Sequence, residues 1–125
     1  MTAHTLPKSE RLRSLGAVRR LFSDGRSGFV YPFRYMIFTE ESASPSVEVL
    51  FSVPKRYHKR ANKRNLLRRR TKEAYRLNKE AVTAVATERG KALDMALVYS
   101  VKECVPYKTI ENAVRKILQE VGATL

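Results

Sequence analysis

The sequence predicts an α+β fold: a single-domain two-layer sandwich, with helices packed on a mixed central sheet in the rough order α-β-β-(β)-α-β-α. Three observations predict it. The apolar residues recur every second position in three separate segments and every three to four positions in three others, so strands and helices share one chain. A length of 125 residues suits one core and not two. The eleven Phe and Tyr residues supply enough apolar bulk to fill that core, which excludes a disordered basic tail. The domain is expected to span 1–125, with 1–8 and 123–125 as flexible ends.

The elements follow in order. Leu15, Val18, Leu21 and Phe22 fall on one side of a short helix, which Asp24-Gly25 should stop. Ser27-Gly28 and Pro32 read as a continued break. Phe33, Tyr35 and Ile37 then alternate with Arg34, Met36 and Phe38, the pattern of a strand. ESASPS, Glu41 to Ser46, reads as a turn. A second strand carries Val47, Val49, Phe51 and Val53 on one face, and pairs with the first as an antiparallel hairpin in this reading. A long helix is expected over Lys59 to Glu88, its buried stripe being Leu67, Ala74, Leu77, Ala81 and Val85. Arg89-Gly90 should end it. Leu93, Met95, Leu97 and Tyr99 mark another strand. After Pro106, the residues Ile110, Ala113, Val114, Ile117, Leu118 and Val121 form an amphipathic helix closed by Gly122.

Charge narrows the function. Lys and Arg number 25 against 12 Asp and Glu, a net charge of +13 that attracts polyanions. The excess is concentrated: ten of the eighteen residues from Lys55 to Lys72 are basic and none is acidic. Solubilising faces mix both signs, whereas phosphate binding accounts for one sign directly. At 100° per residue, Asn65, Arg68, Arg69, Lys72, Arg76 and Lys79 share the side of the long helix opposite its apolar stripe. Arg70 lies nearer the stripe, and its stem should cover the core edge while its head reaches outward. The basic run lacks the Trp, Phe and Leu partners of a membrane-surface helix. No apolar run is long enough to cross a bilayer, and the N-terminus lacks a signal-peptide pattern. A cytoplasmic, nucleic-acid-binding protein with neither a membrane nor a small-molecule substrate is therefore expected.

Chemistry is harder to find. The acids are scattered, and the neighbours Glu40 and Glu41 would point to opposite faces of a strand, a poor metal site. There is no zinc spacing, phosphate-binding glycine loop or nucleophile motif. His58, set among cations, reads as a phosphate or base contact. The lone Cys104 permits no internal disulfide and reads as an ordinary thiol. No protein active site emerges.

The segment FSVPKRYHKRANKRNLLRRRTKEAYR, Phe51 to Arg76, resembles the signature of the bacterial ribonuclease P protein component. Ser52-Val53, Lys55-Arg56, Ala61, Arg64-Asn65 and Arg68-Arg69 occupy the signature positions. RLRSLGAVRRLFSDG, Arg11 to Gly25, looks like the family's opening helix, and the likeness covers about residues 8 to 121. The chain departs from the signature at Leu66, which replaces its second arginine, at Asn62, where an aliphatic is usual, and at His58-Lys59-Arg60, which replaces a Gly-Asn with one residue extra; its first helix has Val18 where an aromatic is common.

The resemblance implies a protein subunit that assists a catalytic RNA in removing the 5′ leader of precursor tRNA, with magnesium held mainly by that RNA. It implies that Lys63, Arg64, Asn65, Arg68, Arg69, Arg70, Lys72 and Arg76 meet the ribonuclease P RNA. It further implies that Arg11, Phe22, Phe33, Tyr35, Ser52, Lys55 and Arg56 meet the leader, where aromatics stack on unpaired bases. Plain core packing is the competing reading for Phe22, Phe33 and Tyr35. A left-handed strand-helix-strand crossover is also implied, a rarity among such connections. A small basic ribosomal protein and a protein-only nuclease are the rival functions.

Overall fold

The structure, a computed structural model, describes residues 10–125; the expectation for 1–8 lies outside them. The elements are α1 (Leu15–Asp24), β1 (Arg26–Val30), β2 (Phe33–Glu41), β3 (Ser46–Ser52), α2 (Ala61–Asn78), α3 (Glu80–Arg89), β4 (Lys91–Tyr99) and α4 (Tyr107–Thr124). One four-stranded sheet runs β1-β2-β4-β3. β2 pairs antiparallel with both β1 and β4, while β3 and β4 are parallel.

This order corrects the expected hairpin of β2 with β3, because β4 lies between them. Alternation reveals which side chains share a face but not which strands are neighbours. The deciding property is two-sided burial. Leu93, Met95, Leu97 and Tyr99 are buried on one face of β4, and Ala96 is buried on the other. A strand apolar on both faces belongs at the centre of a sheet.

The segment read as a break is strand β1. Its five residues pair from Arg26↔Ile37 to Val30↔Phe33, the short Tyr31-Pro32 link turning the chain. Such an edge strand needs few apolar residues, so periodicity does not reveal it. Gly28 faces the Tyr35 ring so closely that a Cβ there would lie 2.5 Å from it.

The long helix is two helices. Its buried stripe is Leu67, Thr71, Ala74, Tyr75, Lys79, Val82 and Ala86; Leu77, Ala81 and Val85 are not buried. Polar residues occupy core-facing positions because each finds a partner. The Thr71 hydroxyl donates to the Leu67 carbonyl at 2.8 Å, and the Lys79 ammonium meets Glu10 at 2.8 Å where α2 ends. Lys79 is therefore buried, not outward-facing as expected. α4 buries the six residues its spacing predicts, then continues past Gly122 to Thr124. Gly122 allows close packing: a Cβ there would lie 2.7 Å from the Ala81 carbonyl oxygen.

α2, α3 and α4 cover the sheet face formed by Phe33, Ile37, Val49, Phe51, Met95 and Tyr99. On the other face, Leu12 and Leu21 pack on Ala96 with Val18, Met36, Phe38, Leu50 and Val98 around them. α1 packs mainly on β2 and β4, and part of this second face is left open.

Candidate nucleic-acid interface

The open part is a groove of about 740 Å³. Strand register builds its floor. Phe29, Arg34 and Val98 lie in one cross-strand row, Ser27 and Met36 in the adjacent one. Phe22 of α1 closes one side. Arg56 and Tyr57 enter from the loop after β3, the Arg56 guanidinium 5.1 Å from the Tyr57 ring centre. Phe22 is 47% and Phe29 57% exposed. Apolar rings left in water beside cations suit an unpaired nucleic-acid strand, whose bases stack while its phosphates are neutralised. Among the described residues, no carboxylate lines the groove. The cation farther along the same face is already engaged: Arg20 meets Asp94 at 3.3 Å and Glu40 at 3.5 Å and covers the Phe38 ring.

The second surface is the outer side of α2. Asn62, Asn65, Arg68, Arg69 and Lys72 surround a hollow of about 520 Å³, with Lys63 exposed beside it. Asn65 Oδ1 accepts from Arg68 Nη1 at 3.0 Å, which orients that guanidinium. The first turn of α2 holds no acid, and its N-cap Arg60 makes no side-chain cap. Cations at the positive end of a helix dipole oppose the usual preference, an arrangement that a bound anion would relieve. The basic run ends where Glu73 accepts two bonds from Arg76, at 3.1 and 2.7 Å. Those bonds hold the Glu73 carboxyl below the ordinary glutamate value.

The remaining candidate residues divide between these surfaces and the interior. Phe22 and Arg56 line the groove. Lys55 is exposed beside Arg56, and Ser52 shares the groove's face through its pairing with Val98. Arg11 borders a smaller hollow of about 380 Å³ with Arg69, Lys72, Glu73 and Arg76, so it belongs with the α2 ridge.

Phe33 and Tyr35 are corrections. Both point to the helix-covered face. Phe33 is 0% exposed and packs edge-on against Tyr99, while the Tyr35 hydroxyl donates to Glu120 at 3.3 Å. A period of two does not fix its own phase when both faces carry bulky side chains. Arg34 and Met36, one residue along, are the groove positions. Neither Phe29 nor Tyr57 belongs to a periodic apolar run, so spacing gives no signal for them.

Arg64, Arg70 and His58 also turn inward. Arg64 Nη1 donates to the carbonyls of Lys59 at 2.7 Å and His58 at 3.1 Å. Arg70 Nη1 donates to the Val105 carbonyl at 3.1 Å, so its head does not reach outward as expected. His58 is 7% exposed, and its Nε2–H donates to the Val101 carbonyl at 2.9 Å; it is a core residue and no phosphate contact. Cys104 is an exposed free thiol. Among the described residues, no three His, Cys, Asp or Glu side chains cluster to hold a metal ion, and no helix is long and apolar enough to cross a membrane.

The family model for Ribonuclease P matches residues 6–122. The chain belongs to the ribonuclease P protein family. It is 35% identical to the ribonuclease P protein component of Porphyromonas gingivalis strain ATCC 33277, a match covering 96% of this chain and 88% of that protein. It is 38% identical to the Chlorobaculum tepidum ribonuclease P protein component over 70% of this chain and 60% of the relative. Two solved ribonuclease P proteins share the fold. The Staphylococcus aureus protein superposes with a TM-score of 0.68 at 17% identity, covering 91% of this chain and 96% of that one. The Thermotoga maritima protein gives 0.69 at 21%, covering 89% and 96%. Membership in the ribonuclease P family sets aside the ribosomal-protein reading and places the chain in a tRNA-processing ribonuclease.

Proposed function

We propose that this ribonuclease P protein binds the enzyme's RNA subunit through the α2 ridge and the 5′ leader of precursor tRNA in the groove, while the RNA performs the hydrolysis. One observation carries the reading. Among the described residues the groove holds exposed Phe22 and Phe29 with Tyr57, Arg34 and Arg56 and no carboxylate, which supports a grip on a single strand. Stacking on rings tolerates any base, which suits leaders of varied sequence.

Magnesium fits the same division of labour. Mg²⁺ is held by carboxylates and phosphate oxygens in near-octahedral geometry. Among the described residues, the groove and the hollow around Asn65 supply amides, hydroxyls and cations but no carboxylate. These residues do not fit a magnesium site of their own, so the ion belongs to the RNA subunit in this proposal. The protein's part is to add positive charge where two RNA molecules approach, which lowers the magnesium needed. The work takes place in the cytoplasm.

The test is reconstitution of the chain with a bacterial ribonuclease P RNA and precursor tRNA at low magnesium. Stimulated cleavage at the mature 5′ end is the expected result. No stimulation at any protein concentration overturns the proposal. Cleavage by the RNA-free protein would assign the chemistry to the polypeptide. With six to ten phosphates engaged, affinity for the RNA should fall by roughly 10³–10⁵ between about 50 and 200 mM salt.

A further inference from the structure

The two RNA-facing surfaces come from different segments, and a set of inward hydrogen bonds joins them. Arg56 and Tyr57 reach the groove from the loop 54–60, whereas Asn65, Arg68, Arg69 and Lys72 stand on α2. Within the loop, the N–H groups of Tyr57 and His58 donate to the Pro54 carbonyl at 3.2 and 3.3 Å. The buried His58 ring fastens the loop to the β4–α4 connection through Val101 and packs edge-on against Tyr99. Arg64 completes the junction. From the first turn of α2, its Nη1 reaches back to two successive loop carbonyls, those of His58 and Lys59.

A guanidinium committed to backbone carbonyls is placed differently from one committed to phosphate. Arg64 is absent from the residues around the ridge hollow, although it stands between Lys63 and Asn65 in sequence. Backbone carbonyls that end a loop need donors when they are partly buried, and a planar, permanently charged fork supplies them with fixed geometry. Removing it frees the loop that carries Arg56 and Tyr57, without removing a cation from the ridge hollow.

We propose that Arg64 is a positioning residue: it holds the loop 54–60 so that Arg56 and Tyr57 stand at a fixed offset from the α2 ridge. Docking on the RNA subunit then sets where the leader is gripped. This inference rests on the function proposed above.

The test uses the full chain reconstituted with a bacterial ribonuclease P RNA. Arg64→Ala and Arg64→Lys are compared with wild type and with Arg69→Ala. Three quantities are read: amide exchange at Tyr57 and His58 in the free protein, the ratio of precursor to mature tRNA affinity, and the salt slope of RNA-subunit binding. Arg64→Ala should speed exchange at both amides at least tenfold and reduce the precursor preference by about tenfold (close to 1.4 kcal/mol), leaving the salt slope at the wild-type value. Arg69→Ala should do the reverse, lowering the slope by about one as a phosphate contact does without altering exchange. Arg64→Lys, which keeps the charge and loses the fork, should not recover the precursor preference.

A slope lowered by about one in Arg64→Ala, with exchange unchanged, overturns the inference. So does full recovery of the precursor preference by lysine. If wild type itself shows no preference for precursor tRNA, the functional reading fails, and the exchange measurement still decides whether Arg64 holds the loop.

Discussion

The Lys79 ammonium and the Glu10 carboxylate meet at 2.8 Å where α2 gives way to α3, and the lysine is buried there. Removing one partner of such a pair weakens the compensation of a charge held largely away from water. Glu10→Ala should destabilise the fold by about 3 kcal/mol, the low end of the range for buried pairs because Glu10 retains some exposure. Replacing both partners, Glu10→Gln with Lys79→Met, should cost far less. Urea unfolding of the single and double variants checks this, and a double variant that loses as much as Glu10→Ala or more would contradict it.

Phe29 and Phe33 should separate binding from stability. Phe29→Ala removes an exposed groove ring, and is expected to weaken precursor tRNA by about 1–3 kcal/mol per lost stack with mature tRNA and melting temperature little changed. Phe33→Ala opens a cavity beneath the sheet and should cost about 3–5 kcal/mol of folding free energy. Thermal melts together with filter binding of both tRNAs distinguish the two.

Glu48 faces Asp94 directly across the β3–β4 ladder. Burial, and then the Asp94 charge, raise the Glu48 pKa above the ordinary glutamate value, with Arg13 opposing. Between the unfolded and the raised folded value, the folded chain binds more protons. Stability therefore falls as pH rises through that window, just above the ordinary glutamate range. Glu48→Gln should remove this loss, adding about 0.2–1 kcal/mol at pH 7, and toward the lower end because the site is partly solvated. Below pH 4 it should add nothing, as denaturation at the two pH values will show.

Gly122→Ala should destabilise although alanine is the better helix former by about 1 kcal/mol. The new methyl would meet the Ala81 carbonyl oxygen at 2.7 Å, a backbone atom that cannot rotate aside. Pushing α4 from α3 is expected to cost about 1–3 kcal/mol net, as overpacked cores do. A raised melting temperature would contradict the close packing.

Much of this was legible in the sequence wherever a single pattern sufficed. The face of α4 from Ile110 to Val121 and the inward residues of β3 and β4 lie as their spacing predicts. The ridge residues Asn65, Arg68, Arg69 and Lys72 do too, since an apolar stripe fixes the opposite side of its helix. The groove was less legible because it depends on phase and neighbourhood. Arg34 and Phe33 exchange faces with a shift of one residue, and only pairing with β1 and β4 settles which is inward. Partners decided the rest. Nothing in the residue types shows that Arg64, Arg70 and His58 would find the backbone groups of Lys59, Val105 and Val101, and those carbonyls draw them away from the surface.

The placement of β4 between β2 and β3 has a consequence for biosynthesis. β4 is the last of the described strands to leave the ribosome, so the two strands it joins wait without each other until residue 99 has emerged. Any nascent fragment ending inside the basic helix holds β1, β2 and β3 but lacks the strand that joins β2 to β3. The groove and the ridge therefore acquire their mutual spacing late and together, once β4 is in place.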